Sequence, residues 1–210
     1  MTKKSGFIES KIRIAVLVSG GGTNLQALID AQKSGAIKSA KIVAVISNNR
    51  GAYALERAET AGIKSFIVPK SGESAEAEIL HILDTEKIDL IVLAGFMMIL
   101  SEKFTSKYMH RIINVHPSLI PSFCGKGFYG LRVHEAALEY GVKVTGATVH
   151  FVNEIPDGGA IIMQKAVAVQ EGDDAKTLQA RVMKEAEHII LPRAVEAVAA
   201  EMLAEKQPNA

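Results

Sequence analysis

The sequence is poor in several residue types: it has one cysteine, no tryptophan and no long hydrophobic run. The lone thiol, Cys124, excludes an internal disulfide framework and favours a reducing compartment, so we expect a cytoplasmic protein. No stretch reaches the roughly 18 apolar residues that a membrane-spanning helix needs, so no membrane partner is expected. The net charge of only +1 provides no broad basic surface, and we expect no nucleic-acid partner.

The balance of apolar and charged residues is that of a globular protein. Apolar residues make up 48% and charged residues 22% of the 210 positions. A chain of this length can bury one continuous core, so we predict a single domain spanning residues 1–210. Residues 1–10, which are polar and basic, and residues 206–210 are predicted to be flexible ends.

Short apolar runs alternate with helix-like segments along the chain. Strands are predicted at 11–19, 41–47, 65–68, 89–95, 111–115, 143–152 and 160–169. Helices are predicted at 23–34, 52–61, 76–86, 101–108 and 133–140, followed by a terminal helix that Asp173 or Asp174 caps and that runs to about Glu205 with a kink or break at Pro192. This alternation predicts an α/β fold: a doubly wound, mostly parallel sheet with an antiparallel edge pair and a C-terminal helix.

Three consecutive glycines, Gly20 to Gly22, separate the first strand from the first helix. Glycines let the backbone approach a ligand closely, and the N–H groups of a helix N-terminus attract an anion such as phosphate. Thr23 or Asn24 is expected to cap the helix with its side chain. The spacing matches no nucleotide-binding fingerprint, and a tight turn that serves packing alone is the alternative.

The stretch Asn114-Val115-His116-Pro117 ends an apolar run and opens a long irregular segment. Pro117 cannot continue a β-ladder, so the strand stops at His116, and side chains two residues apart share one face. Asn114 and His116 therefore point together beyond a strand end, where open α/β sheets bind ligands. A carboxamide can donate to an oxyanion, and an imidazole can carry a proton. The alternative is that local backbone groups satisfy both side chains.

Other segments carry further candidates. Phe96 to Leu100 is an apolar exit from a strand, either part of the core or the wall of a pocket for an aromatic ligand. Asp157 lies in the turn 154–159, where an aspartate is most often only a turn former. For His150, on a strand, a packed and hydrogen-bonded histidine is the default interpretation. The loop 118–130 is long enough to act as a lid or binding element.

Taken together, four motifs resemble the phosphoribosylglycinamide formyltransferase family, the folate-dependent enzymes of purine synthesis, and imply the formyltransferase fold. They are Ser19–Gln26 (SGGGTNLQ), Leu93–Met97 (LAGFM), Asn114–Pro121 (NVHPSLIP), and Thr148–Val152 (TVHFV) followed by Asp157-Gly158-Gly159. The resemblance spans about residues 12–192. The Asn-x-His-Pro motif and the later aspartate are shared by a wider group that uses 10-formyltetrahydrofolate, whereas the glycine turn resembles the glycinamide ribonucleotide enzyme in particular.

The resemblance implies transfer of the formyl group of 10-formyltetrahydrofolate, a co-substrate, to the amine of N1-(5-phospho-D-ribosyl)glycinamide in de novo purine biosynthesis. Direct amine attack would form a tetrahedral intermediate, with no covalent enzyme intermediate and no metal. Asn114, His116 and Asp157 match the family's catalytic residues. Asn114 would donate to the oxyanion, and His116, as imidazolium, would stabilise it and protonate the leaving nitrogen. Asp157 would raise the pKa of His116 and relay the amine's proton through water.

The same resemblance implies the binding residues. The substrate phosphate would lie on the backbone of Gly22, Thr23 and Asn24, and Glu187 would contact the ribose hydroxyls. The pterin of the co-substrate would lie against Met97, Met98, Ile99, Leu100, Asn114 and the turn from Val152 to Asp157, largely through backbone groups.

Two features depart from the family pattern. Many relatives have a basic residue in place of Met98, and some have an arginine near Gly72, so this sequence lacks both groups that pair with the folate's glutamate tail in those relatives. The loop 122–130 is longer and richer in glycine than in the most compact relatives.

Two other functions use the same features. A formyltetrahydrofolate hydrolase, or another 10-formyltetrahydrofolate-dependent formyltransferase, could employ the same catalytic residues, but such relatives usually carry an extra domain for which this chain has no room. A non-catalytic binder of a phosphorylated metabolite is the third interpretation. Small molecules are the expected partners, and a homodimer is left open.

Overall fold

The computed structural model of the protein describes residues 11–206. The predicted flexible ends at 1–10 and 207–210 lie outside that range, whereas Lys206 is the last residue of a helix. The strands are β1 (Ile12–Val18), β2 (Ala40–Ser47), β3 (Lys64–Ile67), β4 (Leu90–Leu93), β5 (Ile112–His116), β6 (Val144–Phe151) and β7 (Ile161–Ala168). The helices are α1 (Thr23–Ser34), α2 (Ala54–Thr60), α3 (Glu73–Thr85), α4 (Glu102–Lys107), α5 (Leu131–Tyr140), α6 (Ala175–Val182) and α7 (His188–Lys206).

The strands form one seven-stranded sheet in the order β3-β2-β1-β4-β5-β6-β7. Strands β1 to β5 are parallel, whereas β6 is antiparallel to β5 and β7 is antiparallel to β6. The predicted doubly wound, mostly parallel sheet with an antiparallel edge and a C-terminal helix is therefore confirmed. The strand order reverses between β1 and β4, so the loops after these strands diverge and leave a crevice at the carboxyl edge of the sheet.

Helices cover both faces of the sheet, which explains why β1 and β4 are apolar throughout. On β1, Ile14 and Val16 belong to the core layer that contains α1 and α7. Ala15 and Leu17 belong to the opposite layer, which contains α3 and α4. This burial on both sides fixes the strands whose ends border the crevice. No helix between residues 11 and 206 combines the length and apolar character of a membrane span.

The expected side-chain cap of α1 is wrong. The N-cap residue is Gly22, in the left-handed conformation, and no side chain bonds to this helix end. The Thr23 hydroxyl and the Asn24 carboxamide instead donate to residues near the C-terminus of the chain. The first N–H groups of α1 therefore stay uncapped by any side chain.

The terminal helix is interrupted, but not where the sequence suggested. Asp174 caps α6 by accepting from the Thr177 N–H, as expected for one of the two candidate aspartates. Of the kink or break predicted at Pro192, the break is wrong, because α7 continues through that residue. The irregularity is one wide π-helical turn at Met183–Glu187, between α6 and α7. Proline has no N–H for the carbonyl of His188, four residues earlier, and the wide turn ends just before that residue.

Candidate active site

A cleft of about 860 Å³ opens at the carboxyl edge of the sheet, where the strand order reverses. Its walls come from segments that are distant in sequence: the glycine turn, the segment after β4, the end of β5, the long loop and the wide turn before α7. Every residue that the sequence assigned to catalysis or to the phosphorylated substrate lines it. A groove of about 650 Å³ lies between α1 and α7, but Asn114, His116 and Asp157 do not line that groove.

One wall of the cleft is formed by Gly20–Asn24, which we call the anion turn. Gly22 has a φ of +72°, and a Cβ atom there would lie 2.6 Å from the Cβ of Ala54. Both the backbone conformation and the packing against α2 therefore require glycine at this position. The adjoining N-terminus of α1 has no side-chain cap, so it presents backbone N–H groups and the positive end of the helix dipole. This wall is suited to a phosphate.

The wide turn before α7 is tied to the anion turn by side chains. Asn24 Nδ2 donates to Glu187 Oε2 at 2.6 Å, and Thr23 Oγ1 donates to Met183 Sδ at 3.1 Å. Glu187 is 5% exposed, and burial raises the pKa of its carboxyl, which the bond from Asn24 only partly offsets. A carboxyl group can accept hydrogen bonds from hydroxyl groups whether it is ionised or protonated. The geometry next to the anion turn is therefore suited to a sugar.

Asn114 and His150 lie opposite each other on the paired strands β5 and β6. The Nδ1–H of His150 donates to the Phe151 carbonyl at 2.7 Å, since a carbonyl oxygen can only accept. Nε2 of the neutral ring is therefore an acceptor, and it lies 3.2 Å from Asn114 Nδ2. This contact orients the carboxamide of Asn114 and leaves its second N–H for a ligand.

Asp157 joins these residues from the turn after β6. Its Oδ2 lies 3.5 Å from His116 Nδ1, and its Oδ1 lies 3.6 Å from His150 Nε2. The Gly125 N–H donates to Oδ2 at 2.8 Å. Asn114, His116, His150 and Asp157 thus form one group, which we call the polar cluster. The fold brings the three predicted catalytic residues together, although about forty positions separate the histidine motif from Asp157.

The pKa values of His116 and Asp157, which face each other in the polar cluster, are both lowered. Burial lowers the pKa of His116, and the negative charge of Asp157 opposes that shift without reversing it. Burial alone would raise the pKa of Asp157, but the rings of His150 and His116 in their protonated forms and the Gly125 N–H stabilise the carboxylate and outweigh burial, so this pKa falls below its usual value. A neutral imidazole therefore faces an ionised carboxylate near neutral pH. Asp157 does push the pKa of His116 upward, as predicted, but the net shift is downward because the loss of solvation outweighs the charge of Asp157.

A smaller apolar pocket of about 120 Å³ adjoins the polar cluster. Asn114 lies at its polar end, and its apolar lining includes the predicted pterin contacts Met98, Ile99, Leu100 and Val152. Met97 lines the neighbouring part of the main cleft, and its N–H donates to Ser19 Oγ at 2.9 Å. The wall of this pocket is thereby tied to the end of β1, beside the anion turn.

His134, which the sequence analysis missed, lines the cleft near His116. Its side chain is fully buried, and neither ring nitrogen has a hydrogen-bond partner within residues 11–206. Burial, together with the nearby His116, lowers the pKa of His134 to about 4. The spacing of Val133, His134 and Ala137, which share the buried face of α5, was the signal in the sequence for this burial.

Known proteins match the chain over most of its length. A family model described as formyl transferase matches residues 12–195. Phosphoribosylglycinamide formyltransferase of Escherichia coli (strain K12) is 44% identical over 185 residues, which are 86% of this chain and 84% of that protein. The trifunctional purine biosynthetic protein adenosine-3 of Homo sapiens is 46% identical over 203 residues, or 95% of this chain. A crystal structure of phosphoribosylglycinamide formyltransferase from Brucella melitensis is 44% identical, with a TM-score of 0.82, and the match covers 91% of this chain and 97% of that one.

The lengths of these relatives differ. The chain spans only 19% of the human trifunctional protein but most of the bacterial proteins. The matched residues 12–195 contain the anion turn, the polar cluster and Glu187. The resemblance drawn from the four sequence motifs is therefore confirmed, and the chain belongs to the formyl transferase family.

Proposed function

We propose that the protein transfers the formyl group of 10-formyltetrahydrofolate to the amine of N1-(5-phospho-D-ribosyl)glycinamide, a step of purine biosynthesis. The observation that carries the proposal is that a phosphate-type turn and the polar cluster line a single cleft. The similarity to the Escherichia coli enzyme, over 84% of its length, supports the same pair of substrates.

The phosphorylated substrate would bind along the anion turn. Its phosphate accepts from the backbone N–H groups of Gly22, Thr23 and Asn24 at the uncapped end of α1. Glu187, held by Asn24 at 2.6 Å, accepts from the ribose hydroxyls. The glycinamide end then extends towards the polar cluster, because both groups line the same cleft.

Asn114 stabilises the oxyanion that forms when the amine attacks the formyl carbon. One N–H of its carboxamide is engaged by His150 Nε2 at 3.2 Å, and the other donates to the developing negative charge. His150 is thus a positioning residue, because its own Nδ1–H is fixed on the Phe151 carbonyl. A donor held in place before the reaction costs no reorganisation in the transition state.

His116 and Asp157 move the proton. As the new C–N bond forms, the proton of the amine passes through water and Asp157 to Nδ1 of the neutral His116, which lies 3.5 Å from the carboxylate. The imidazolium then stabilises the oxyanion and gives the proton to the folate nitrogen as the old C–N bond breaks. The lowered pKa of His116 makes the imidazolium a stronger acid, which favours this second transfer.

The co-substrate fits the apolar pocket beside Asn114. Met98, Ile99 and Leu100 offer one apolar side for a flat pterin ring. Because Met98 and Gly72 are not basic, the glutamate tail binds through other groups. Within residues 11–206, no three His, Cys, Asp or Glu side chains form a group that could hold a metal ion. The prediction that no metal takes part stays a prediction.

A direct assay tests the proposed function. The purified protein is mixed with 10-formyltetrahydrofolate and the phosphorylated glycinamide substrate, and release of tetrahydrofolate is followed. We expect release only when both substrates are present, and a raised KM for an amine substrate that lacks the phosphate. Rapid release without the amine would indicate a hydrolase, and binding of both compounds without release would indicate a non-catalytic binder.

The expected cellular location and partners of the protein rest on the sequence alone. The cytoplasmic location, the absence of a nucleic-acid or membrane partner and the open question of a homodimer stay predictions. The expected partners of the chain are the two small-molecule substrates.

A further inference from the structure

The segment 123–125 of the long loop contacts both members of the proton-transfer pair through its backbone. Nε2 of His116 lies 2.9 Å from the Phe123 carbonyl oxygen. The Gly125 N–H donates to Asp157 Oδ2 at 2.8 Å. These two contacts join one stretch of backbone to two side chains that come from β5 and from the turn after β6.

The contact with the Phe123 carbonyl determines which ring nitrogen of His116 can accept a proton. A carbonyl oxygen can only accept, so Nε2 must carry a hydrogen in both the neutral and the charged ring. The lone pair of the neutral ring is then on Nδ1, which lies 3.5 Å from Asp157 Oδ2. Without the Phe123 carbonyl, the neutral ring could place its hydrogen on either nitrogen, and one of the two forms cannot accept a proton from the side of Asp157.

The second contact holds the carboxylate. The oxygen of Asp157 that faces His116 is the same Oδ2 that accepts from the Gly125 N–H. The carboxylate can therefore not rotate without losing a charge-assisted hydrogen bond. Its orientation towards Nδ1 of His116 depends on the position of the Gly125 peptide.

The segment itself is fixed in an unusual conformation. Phe123 has a φ of +48°, which is uncommon for a residue other than glycine, and Gly125 has a φ of +85°. The ring of Phe123 packs against Phe128 and Tyr140, with centroid distances of 6.4 and 6.0 Å. These aromatic contacts hold the Phe123 backbone, and with it the carbonyl that meets His116.

We propose that Phe123 and Gly125 are positioning residues of the reaction, with the Phe123 carbonyl fixing the tautomer of His116 and the Gly125 N–H fixing the carboxylate of Asp157. This inference rests on the proposed function, because it assigns these two contacts to the proton transfer described above. The long loop then does more than form a wall of the cleft: its conformation sets the geometry of the proton-transfer pair.

Nitrogen-15 NMR of histidine-labelled protein reads the tautomer without any substrate. At about pH 8, where a histidine of ordinary or lowered pKa is neutral, the shifts of the two ring nitrogens show which one carries the hydrogen. The signals of His116 are identified by their loss in H116N. We expect the wild-type ring to carry its hydrogen on Nε2, the Phe123→Gly variant to show a mixture of tautomers, and Phe123→Tyr, which keeps the ring, to match the wild type. A hydrogen on Nδ1 in the wild type would overturn the proposal.

Two alanine variants separate positioning from general strain in the loop. Gly125→Ala and Gly127→Ala both place a side chain at positive φ, +85° and +97°, and neither new Cβ would have a neighbour within 4 Å. Only the Gly125 N–H bonds to Asp157. We expect Gly125→Ala to lower kcat by about 10- to 100-fold with KM within about threefold of the wild type, since small misplacements have costs of that order. Gly127→Ala is expected to keep the wild-type tautomer and to lose clearly less of kcat.

The outcomes distinguish this inference from the proposed function. Normal formyl transfer by the wild type, together with equal kcat for the two alanine variants, would overturn the positioning role and leave the function standing. A wild-type protein that transfers no formyl group would overturn the function, and with it the catalytic part of this inference. The tautomer of His116 would still support or overturn the contact itself, because NMR requires no turnover.

Discussion

The anion turn and the polar cluster line the same cleft, but they are built from different groups. The anion turn offers backbone N–H groups, and its shape is fixed by packing, as the 2.6 Å approach of a Cβ at Gly22 to Ala54 illustrates. The polar cluster offers side chains, and hydrogen bonds such as that from Gly125 to Asp157 hold them. Binding through backbone does not titrate, whereas the chemistry at the cluster depends on shifted pKa values.

This difference predicts that substitutions in the two regions change different measurable quantities. Substitutions in the polar cluster should lower kcat and leave the folded state intact, because the transition state needs their protons and donors. Substitutions in the anion turn should lower stability or raise KM, because that wall contributes only the position of its backbone N–H groups. The comparison fails if the two groups of variants have the same kinetic signature.

The largest effect is expected for Asp157→Asn. The variant keeps the shape of the side chain but cannot relay a proton, so kcat should fall by about 10³-fold while KM changes by a few-fold at most. Asp157 has a φ of +57°, a conformation that asparagine tolerates well, so the fold should be retained. Steady-state kinetics measure the effect, with thermal unfolding as the control. A variant with nearly normal kcat would remove Asp157 from the reaction.

Asn114→Ala should have the next largest effect. Loss of the oxyanion donor should lower kcat by about 10²-fold. The same change removes the partner of His150 Nε2, so thermal unfolding must be measured beside the kinetics. If kcat stayed within about threefold of the wild type while both substrates still bound, the oxyanion would have to be stabilised by another donor.

Some features of the fold and of the site could be predicted from the sequence, and others could not. Apolar runs located the strands, and Pro117 located the strand end that presents Asn114 and His116. The sign of the pKa shift of His116 depends on burial against the charge of Asp157, and those two quantities exist only in the folded chain. The contact with the Phe123 carbonyl is made by backbone, which every residue type possesses, so residue identity carries no signal for it.

On the side of the anion turn, Gly22→Ala should destabilise the protein without a specific loss of chemistry. A left-handed φ of +72° and a 2.6 Å clash with Ala54 should together lower the free energy of unfolding by about 2–4 kcal/mol. Gly21→Ala is the matched control, because nothing lies within 4 Å of its new Cβ, and its stability should stay within about 0.5 kcal/mol of the wild type. Urea unfolding of both variants measures the difference. Equal stabilities would show that the turn is not fixed by packing.

The smallest effect is expected for the pH dependence of protein stability, through His134 near the polar cluster. The pKa of His134 is lowered to about 4, so the unfolded chain binds more protons than the native state below the ordinary histidine pKa of about 6.5. This contribution is fully present above about pH 6.5 and is lost as the pH falls towards 4, by about 1–2 kcal/mol between pH 7 and 5. His134→Gln cannot titrate, so its stability should fall less over the same interval. Parallel curves for wild type and variant would mean that His134 is solvated or paired in solution, and that burial alone does not set the electrostatics of this wall.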